Sequence, residues 1–400
     1  MAGKEQLNRW SGKDYVKNII MLLAKVPLWL VQVCFLWKPL IKNRIIIYSL
    51  KQHGYSCNLK YLTEYLNRER PGAFEVLWIV RGQEDLEALR KRGVPAALLH
   101  SGAHFRWRLQ AGIVITNDEF YPVFFKRPGQ RYVNTWHGAI NYKKIGYAGL
   151  AFTNPIQKLI YAMNNPCPDL FISGSRSFTD TTSASFGFPR EVFLEAGLPR
   201  NDILCHGDDA VKAAVKAALG IPVEKKLVLY APTFRKGGFG PGQGMDFARL
   251  RQALSARFGG EWVVLLRQHY FVRERSERAD GLLIDVSGWE DMQELLLSAD
   301  CLLSDYSSCM WDWLLTGKPC FVYAPDLAAY TAEDRSFFIP VEKWPYPIST
   351  DMEGLEGAIR DFDPSDFAVR ASGHRAEFGS HDRGTACEAL TDHLMKYKEL

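Results

Sequence analysis

The chain has 400 residues, of which 47% are hydrophobic, 13% are aromatic and 24% are charged, and its formal net charge is +4. This length suits two domains of about 150 to 200 residues, and the hydrophobic fraction is sufficient for two cores. The eight cysteines form no CxxC pair and no metal-ligand spacing. We therefore expect free thiols in a reducing cytoplasm, and neither a structural zinc site nor a cofactor.

The N-terminal segment is apolar and basic. No acidic residue lies between Asp14 and Glu64, while seven basic residues do. The apolar run 26–37 has 12 residues, too few for a hydrocarbon core of about 30 Å. We predict a pair of short interfacial helices, broken near Pro27, on an anionic membrane surface. A spanning segment over 19–37 and a helix packed on the first domain are the alternatives. The tryptophans and phenylalanine expected in the membrane are Trp29, Phe35 and Trp37.

Strands and helices alternate in the next part of the chain. Apolar runs predict strands at 44–50, 74–80, 112–117 and 169–175, and the intervening patterns predict helices at 59–66 and 84–92. This alternation is typical of a parallel sheet with helices on its faces.

A histidine follows an apolar-aromatic stretch in the sequence NTWHGAINYKKIG. Gly138 after it allows close backbone approach, and Lys143 and Lys144 follow shortly. A histidine beside a tryptophan is more often packed in a core than catalytic. With two lysines nearby, a neutral imidazole at His137 is suited to deprotonating a hydroxyl near a phosphate site.

Three strands of the second half end in cationic or hydroxyl groups. The strand at 227–234 runs into Arg235 and a glycine-rich loop, and the strand at 262–270 ends in Arg267 and His269. The third, at 301–303, leads into a turn whose Ser307 and Ser308 precede a helix at 310–315. Ligands of open α/β sheets bind beyond the carboxyl ends of parallel strands, so this pattern indicates a nucleotide diphosphate. Simple capping of the helix is the alternative for the two serines.

These motifs together resemble the CDP-glycerol glycerophosphotransferase family of teichoic-acid and capsule polymer enzymes. The resemblance covers roughly residues 44–346 and is carried by WHG with its lysine pair, GLPRND, YAPTFR, RQH, DYSSCMWDWLLTGKP and YAPDLAAY. It implies an α/β GT-B fold, in which two Rossmann-like domains face a cleft. It also implies transfer of an alditol phosphate, above all glycerol phosphate, from a CDP-activated donor to a lipid-linked or glycan acceptor, with release of CMP.

The resemblance also implies roles for the matching residues. His137 corresponds to the base, and His269 and Arg267 correspond to groups at the donor diphosphate. The donor side is lined by Thr233, Arg235, Asp305, Ser307, Ser308 and Asp312. Ala139 and the residues after it depart from the Thr or Ser of many members, and the glycine-rich insertion after Arg235 is unusual.

The predicted organisation has four parts. Residues 1–42 form the membrane-associating segment, 43–205 the acceptor domain, 206–375 the CDP-donor domain and 376–400 a C-terminal helix that returns to the first domain. The basic-aromatic stretch 103–110, together with 124–127, is expected either to hold a phosphorylated acceptor or a lipid headgroup, or to be a solvated surface. No nucleic-acid partner is expected, because no recognised signature accompanies these residues.

The enzyme is expected on the cytoplasmic face of a bacterial cell membrane, as a peripheral protein. Two rival functions stay open at this point. One is a GT-B glycosyltransferase that uses a nucleotide sugar, and the other is a non-catalytic membrane scaffold that retains the fold.

Overall fold

The structure is a computed structural model. It describes residues 8–9, 11–49, 54–118, 125–151, 154–233, 245–268, 283–333 and 337–399. Two compact units divide the chain: the first contains residues 1–202 and 380–400, and the second contains residues 203–379. The chain therefore leaves the first unit for the second at Ile203 and returns to it at Ser380.

The first unit is built on parallel strands connected by helices. Its strands are β1 (Asn8–Arg9), β2 (Ile41–Tyr48), β3 (Glu75–Val80), β4 (Ala96–Leu98), β5 (Ala111–Thr116), β6 (Arg131–Asn134), β7 (Leu150–Ala151), β8 (Leu170–Ser173) and β9 (Phe193–Glu195). Its helices up to Asp202 are α1 (Gly12–Cys34), α2 (Cys57–Glu69), α3 (Gln83–Lys91), α4 (Gly102–Gln110), α5 (Gly146–Gly149), α6 (Pro155–Asn164) and α7 (Arg176–Phe186).

A seven-stranded parallel sheet carries this unit within the described residues, in the order β4-β3-β2-β5-β6-β8-β9. Strand β2 lies inside the sheet, between β3 and β5, and its Ile45, Ile46 and Ile47 are each fully buried. Three consecutive β-branched residues buried on both faces are typical of a parallel strand covered by helices. The predicted strands at 44–50, 74–80 and 112–117 correspond to β2, β3 and β5. The carboxyl ends of β5 and β6 lie side by side, because Thr116 pairs with Asn134.

The second unit repeats this plan. Its helices are α8 (Asp202–His206), α9 (Asp209–Ala218), α10 (Phe247–Phe258), α11 (Met292–Ser298), α12 (Cys309–Trp313), α13 (Leu327–Glu333), α14 (Met352–Arg360) and α15 (Pro364–Glu377). Its strands are β10 (Lys226–Ala231), β11 (Trp262–Leu266), β12 (Leu283–Asp285), β13 (Cys301–Ser304), β14 (Cys320–Tyr323) and β15 (Ile348–Ser349).

The order of its six-stranded parallel sheet, within the described part of the chain, is β12-β11-β10-β13-β14-β15. The first strand, β10, pairs with β11 on one side and with β13 on the other. The connections therefore run in opposite directions from β10, which makes the gap between β10 and β13 a topological switch point. In doubly wound sheets the ligand crevice lies outside the carboxyl ends of the strands at this point.

The C-terminal helix α16 (Ala386–Glu399) belongs to the first unit. The carboxylate of Asp202 accepts hydrogen bonds from the backbone N–H groups of Ala386 and Cys387, at 3.0 and 2.8 Å. Leu390 and Leu394 are buried in the core that β2 and α2 share. A carboxylate at the start of a helix satisfies N–H groups that have no partner inside the helix, and this fixes the entry of α16.

The N-terminal segment differs from its prediction. It forms one continuous helix, α1, with Pro27 inside it, instead of two short helices broken at the proline. Proline removes one intrahelical hydrogen bond, but α1 is bound to α6 before this position and to the carbonyl of Phe125 after it, and these bonds hold the helix together. Trp29 packs edge-on against Phe125, and Phe35 packs against Phe105. These two rings were expected in the membrane and instead contact the protein, whereas Trp37 is 76% exposed.

The structure also corrects part of the prediction for the basic-aromatic stretch. Arg108 is fully buried and donates to the side chain of Gln130 at 2.6 Å. Arg127 is buried and donates to the carbonyls of Leu36 and Lys38 just beyond α1, at 2.8 and 2.7 Å. A guanidinium carries five donors in a fixed plane and can satisfy several carbonyls at once. Arg127 therefore anchors the segment after α1 to the body, and Arg108 is used inside the unit. Both arginines are buried and bonded within the protein, so they do not hold an acceptor or a lipid headgroup. Phe124 lies outside the described residues.

Candidate functional site

His137 lies in a strained turn directly after β6. Trp136 has a positive φ of 49°, which is unusual for a bulky side chain. Its N–H donates to the side-chain oxygen of Asn134 at 2.8 Å, and its ring stacks on that of His137 with centroids 4.7 Å apart. Backbone strain of this kind persists only where the surroundings over-determine it, and it is concentrated at functional sites.

The imidazole of His137 has a defined orientation. Its Nδ1 lies 2.8 Å from the carbonyl oxygen of Asn117, which follows β5. Since a carbonyl oxygen can only accept, the hydrogen is on Nδ1, and in the neutral ring Nε2 carries the lone pair. His137 is half-buried. This arrangement holds Nε2 as a proton acceptor.

The residues after His137 rest on the turn that follows β8. The hydroxyl of Ser175 donates to the carbonyl of Ala139 at 2.8 Å. A Cβ at Gly174 would lie 2.6 Å from the Cα of Ala139, closer than any real contact. The backbone of the histidine turn therefore approaches β8 to a distance that only glycine permits.

Replacing this glycine tests that packing. Gly174→Ala should lower the free energy of unfolding by about 1 to 3 kcal/mol, the usual cost of overpacking, because the clash is with backbone. The matched control is Gly373→Ala in α15, where an added Cβ meets nothing within 4 Å. That variant should be neutral or gain up to about 1 kcal/mol from helix propensity. Equal thermal denaturation midpoints for the two variants would contradict the close approach.

Three other predicted residues accompany His137. Gly138 is buried, but a Cβ added there would make only ordinary van der Waals contacts with the rest of the protein. The steric need for glycine that we predicted there lies instead at Gly174. Lys143 and Lys144 are both half-buried. Between the histidine and the lysines, Asn141 donates to the hydroxyls of Thr181 and Thr182 on α7, which fixes this segment to the unit.

In the second unit, the carboxylate of Asp305 links the two strand ends at the switch point. Asp305, after β13, accepts hydrogen bonds from the backbone N–H of Thr233 at 2.9 Å and from its hydroxyl at 2.7 Å. Thr233 follows β10, so these bonds tie together the two strand ends that flank the crevice. Asp305 is only 2% exposed. Asp305 and Thr233 therefore have a structural role at the predicted donor site, because their hydrogen bonds hold its two strand ends together.

Arg267 follows β11 directly. Its Nη1 is buried and makes no hydrogen bond within the part of the chain that the structure describes. Burial lowers the pKa of this guanidinium, and the nearby Asp291 and Cys309 oppose that shift. Because β11, β10 and β13 are parallel neighbours, Arg267 lies at the same carboxyl edge of the sheet as the serine turn. An arginine stays charged in proteins, so it offers an unused donor and a positive charge at this edge.

The serine turn itself is accessible. Ser307 is half-buried and Ser308 is exposed, and the Ser308 side chain makes no capping hydrogen bond to α12. Capping by that side chain, the alternative interpretation, is therefore not observed. Burial raises the pKa of the neighbouring Cys309 thiol to about 11. This thiol is neutral at physiological pH and is not a nucleophile.

Asp312 is placed differently from its neighbours. It is 2% exposed, and its carboxylate accepts a hydrogen bond from the Gln293 side chain on α11 at 3.0 Å. This bond joins α12 to α11 from inside the unit. Two further predicted site residues, His269 and Arg235, lie outside the described residues.

Sequence reasoning missed several supporting groups. Asn117 and Asp118 stand directly after a buried strand, which is the same signal that identified Arg267, and we did not apply it to β5. Asn58 donates to the carbonyls of Thr135 and Trp136, at 2.9 Å each. No local pattern marks Asn58, because its partners are 77 and 78 positions away.

Comparison with known proteins gives a consistent result. Residues 30–396 match the family model described as CDP-Glycerol:Poly(glycerophosphate) glycerophosphotransferase. The chain is 29% identical over 379 residues to the teichoic acid glycerol-phosphate transferase of Staphylococcus aureus, covering 89% of this chain and 94% of that protein. It is also 29% identical to the teichoic acid poly(glycerol phosphate) polymerase of Bacillus subtilis, over 91% of this chain and 48% of the polymerase. The chain thus spans about half the length of that polymerase.

The fold is similar to that of solved structures. The wall teichoic acid polymerase TagF superposes with a TM-score of 0.78 at 24% identity, over 96% of this chain and 98% of that one. A structure of a TagF variant soaked with CDPG superposes equally well. Both comparisons support an α/β fold with two parallel-sheet domains.

Proposed function

Because the chain belongs to the CDP-Glycerol:Poly(glycerophosphate) glycerophosphotransferase family, we propose that it transfers glycerol phosphate from CDP-glycerol to an acceptor hydroxyl in cell-wall polymer synthesis. The observation that carries the proposal is the family match over residues 30–396, which contains both candidate sites. The acceptor is a lipid-linked or glycan hydroxyl. Capsular polymer synthesis and the GT-B arrangement remain predictions of the sequence.

The reaction is a displacement at phosphorus. The acceptor oxygen attacks the β-phosphorus of CDP-glycerol, and its proton passes to Nε2 of His137. The bond from the β-phosphorus to the bridging oxygen breaks, and CMP leaves with that oxygen. The Nδ1–H bond to Asn117 places the lone pair of the neutral ring on Nε2 and stabilises the ring as it becomes charged, the role that an orienting acceptor has beside other histidine bases.

The donor diphosphate binds at the switch point of the second sheet. The serine turn offers hydroxyls, and Arg267 offers a buried donor and a positive charge. Phosphoryl transfer depends mainly on positioning and on stabilising charge that spreads over the transferred and leaving phosphates. Arg267 therefore acts on the transition state as well as on binding, together with the predicted His269 and Arg235.

The released nucleotide separates this function from glycosyl transfer. Purified protein should be incubated with CDP-glycerol, CDP-ribitol and UDP-sugars, using bacterial membranes as acceptor, and CMP and UDP should be quantified. We expect CMP from CDP-glycerol and no UDP from any sugar donor. UDP release would support the glycosyltransferase alternative, and no nucleotide from any donor would support the scaffold.

The same proposal includes an anionic membrane surface as a partner, contacted peripherally from the cytoplasmic side. Helix α1 has its polar side inward. Its buried residues, among those described, are Asn18, Lys25 and Gln32, spaced seven residues apart. Lys25 donates to Asn164 of α6 at 2.7 Å, and Gln32 donates to the carbonyl of Phe125 at 2.9 Å. Burial lowers the pKa of Lys25 to about 8.

The outer side of α1 is correspondingly apolar, and α6 continues it. On α1, Ile20, Leu23 and Leu30 are 60%, 62% and 66% exposed. On α6, Ile156 and Leu159 are 56% and 60% exposed. We call this surface the α1/α6 face. An exposed, contiguous apolar surface marks an interaction site, and the basic stretch 15–63, which begins in the first turn of α1 and has no acidic residue, matches an anionic bilayer.

Helix α1 is also long and apolar enough to span a membrane, with a mean hydropathy of 1.5 over its best window. A spanning position would pull Lys25 and Gln32 away from their partners into hydrocarbon. Each such group costs several kcal/mol there when it is left unsatisfied. The buried hydrogen bonds of α1 therefore support an interfacial position.

Charge placed on the α1/α6 face should weaken membrane binding. Ile156→Glu with Leu159→Glu removes two apolar side chains, worth about 1.5 to 3 kcal/mol each when buried, and adds repulsion. We expect at least about tenfold weaker binding to phosphatidylglycerol vesicles in a sedimentation assay. Val369→Glu is the matched control, because Val369 is 70% exposed on α15 in the other unit. High salt should release only part of the unaltered protein. Unchanged vesicle binding by the double variant would contradict the α1/α6 face.

A further inference from the structure

The side chain of Asn58 joins two strained points of the first unit. Asn58 is the second residue of α2 and is fully buried. The residue before it, Cys57, has a positive φ of 60°, and Trp136, whose carbonyl Asn58 binds, has one of 49°. Neither is a glycine, so each position costs on the order of 1 kcal/mol or more. The strain is concentrated around this one amide.

Both the donors and the acceptor of this amide are engaged. Both Nδ2 hydrogens donate, to the carbonyls of Thr135 and Trp136, at 2.9 Å each. Oδ1 accepts from the backbone N–H of Arg200 at 3.1 Å. Only an amide has two donors and an acceptor in this arrangement, because a carboxylate lacks the donors and a hydroxyl lacks one of them.

The first two bonds act on the peptide groups that lead directly into His137. Holding the carbonyl of Trp136 fixes the peptide plane between Trp136 and His137, and hence the direction in which the histidine side chain leaves the backbone. Without these bonds, Trp136 is free to return to a negative φ, and that rotation moves the imidazole away from the carbonyl of Asn117.

The third bond connects the turn to the end of the first unit. Arg200 lies in the GLPRND segment, two residues before Asp202, where the unit ends. Its side chain also donates to the thiol of Cys57 at 3.3 Å. Asn58 therefore holds the histidine turn and the exit segment in one fixed relation.

We infer that Asn58 is a positioning residue of the transfer reaction, which acts by fixing the peptide that orients His137. The inference rests on the proposed base role of His137 and adds a residue that does not touch substrate. Misplacing a catalytic group by about 1 Å can cost about a hundredfold in rate. Its loss should therefore affect turnover far more than donor binding.

The experiment compares Asn58→Ala, Asn58→Asp and a control on the same helix, Thr63→Val. Thr63 is 2% exposed and hydrogen-bonds to Leu59 and Trp78, away from the turn. We expect Asn58→Ala to lower kcat by about ten- to a hundredfold with the KM for CDP-glycerol within about twofold. Asn58→Asp keeps the acceptor for Arg200 but loses both donors, so it should be equally impaired. Thr63→Val should lose stability and keep its kcat.

A spectroscopic readout separates positioning from general destabilisation. In protein labelled with ¹⁵N-histidine, the neutral ring of His137 should show the Nδ1–H tautomer. This state should become a mixture of tautomers in Asn58→Ala and stay unchanged in Thr63→Val. Should Asn58→Ala fail to fold, Asn58→Ser, whose hydroxyl donates one bond, is judged by the same criteria.

The outcomes distinguish a failure of the proposed base role of His137 from a failure of the inference about Asn58. If His137→Ala turns over normally, the proposed base role fails. If His137→Ala is inactive while Asn58→Ala keeps its kcat and the Nδ1–H tautomer, the base role stands and the inference about Asn58 is overturned. In the His137→Ala background, adding Asn58→Ala should cause no further loss, since the two act through one group.

Discussion

Replacing His137 with alanine should reduce kcat by at least about a hundredfold, the usual worth of a positioned general base. The physical reason is that Nδ1 is committed to the carbonyl of Asn117, so Nε2 is the ring atom that can take the acceptor proton. Donor binding should change little, because the predicted diphosphate site is in the second unit. The measurement is CMP release under saturating CDP-glycerol, with the thermal midpoint recorded in parallel.

The matched control for this variant is His393→Ala. His393 is an exposed histidine on α16, remote in sequence from the histidine turn. It should have unaltered kcat, which shows that loss of a histidine from the same unit is not in itself harmful. Near-normal CMP release by His137→Ala, at an unchanged thermal midpoint, would rule out the base role.

Replacing Arg267 with methionine should weaken CDP-glycerol binding and slow turnover together. Methionine retains much of the length of the side chain but removes the charge and the buried Nη1 donor. Hydrogen bonds from charged groups contribute about 1.5 to 3 kcal/mol, so the dissociation constant for CDP, measured by calorimetry, should rise about ten- to a hundredfold. The fall in kcat/KM should be larger still, because charge increases in the transition state.

Two comparisons make this result interpretable. Arg249→Met removes a half-exposed arginine of the same unit, which pairs with Glu356 on the surface, and it should leave CDP binding unchanged. Ser307→Ala with Ser308→Ala should weaken CDP binding in the same direction as Arg267→Met, while a lipid-linked acceptor still binds. Unchanged CDP affinity in both the Arg267 and the serine variants would mean that the phosphate site is misplaced.

Much of the architecture was predictable because buried parallel strands have continuous apolar sequences. The stretch around Ile45 to Ile47 predicted β2, and the run ending before Arg267 predicted β11. Both end before the predicted limits of 50 and 270, at Tyr48 and Leu266, where the run of apolar residues stops. Candidate functional residues at the ends of such strands can therefore be recognised from the sequence alone. This is why His137, Arg267 and the serine turn were identified together.

The groups that hold these residues in place were not predictable. Asn58 and Gly174 act on partners that are distant in the chain, and their local sequence is unremarkable. The strain at Trp136 depends on those same long-range bonds. The local sequence pattern reveals which residues follow the end of a strand. The groups that hold those residues in position are set by tertiary packing and cannot be read from that pattern.

The N-terminal helix shows a different reason for an incorrect prediction. Pro27 was expected to break it, since proline removes an intrahelical hydrogen bond. The bonds of Asn18, Lys25 and Gln32 to the body, however, lie on both sides of the proline and favour a single helix. Lysine in an apolar run indicated a membrane surface, but this lysine contacts Asn164 inside the protein. The sequence identified the apolar character of α1, and its orientation depended on α6.

In the proposed reaction the enzyme breaks the bond between the β-phosphorus of the donor and the oxygen that bridges the two phosphates. CDP-glycerol labelled with ³²P at the β-phosphorus, next to glycerol, tests it most directly, with bacterial membranes as acceptor. We expect the label in the polymeric or lipid-linked product and unlabelled CMP in solution, in equal amounts. Label released in solution as CDP would show that the glycerol–oxygen bond breaks instead, and that result would contradict glycerophosphate transfer.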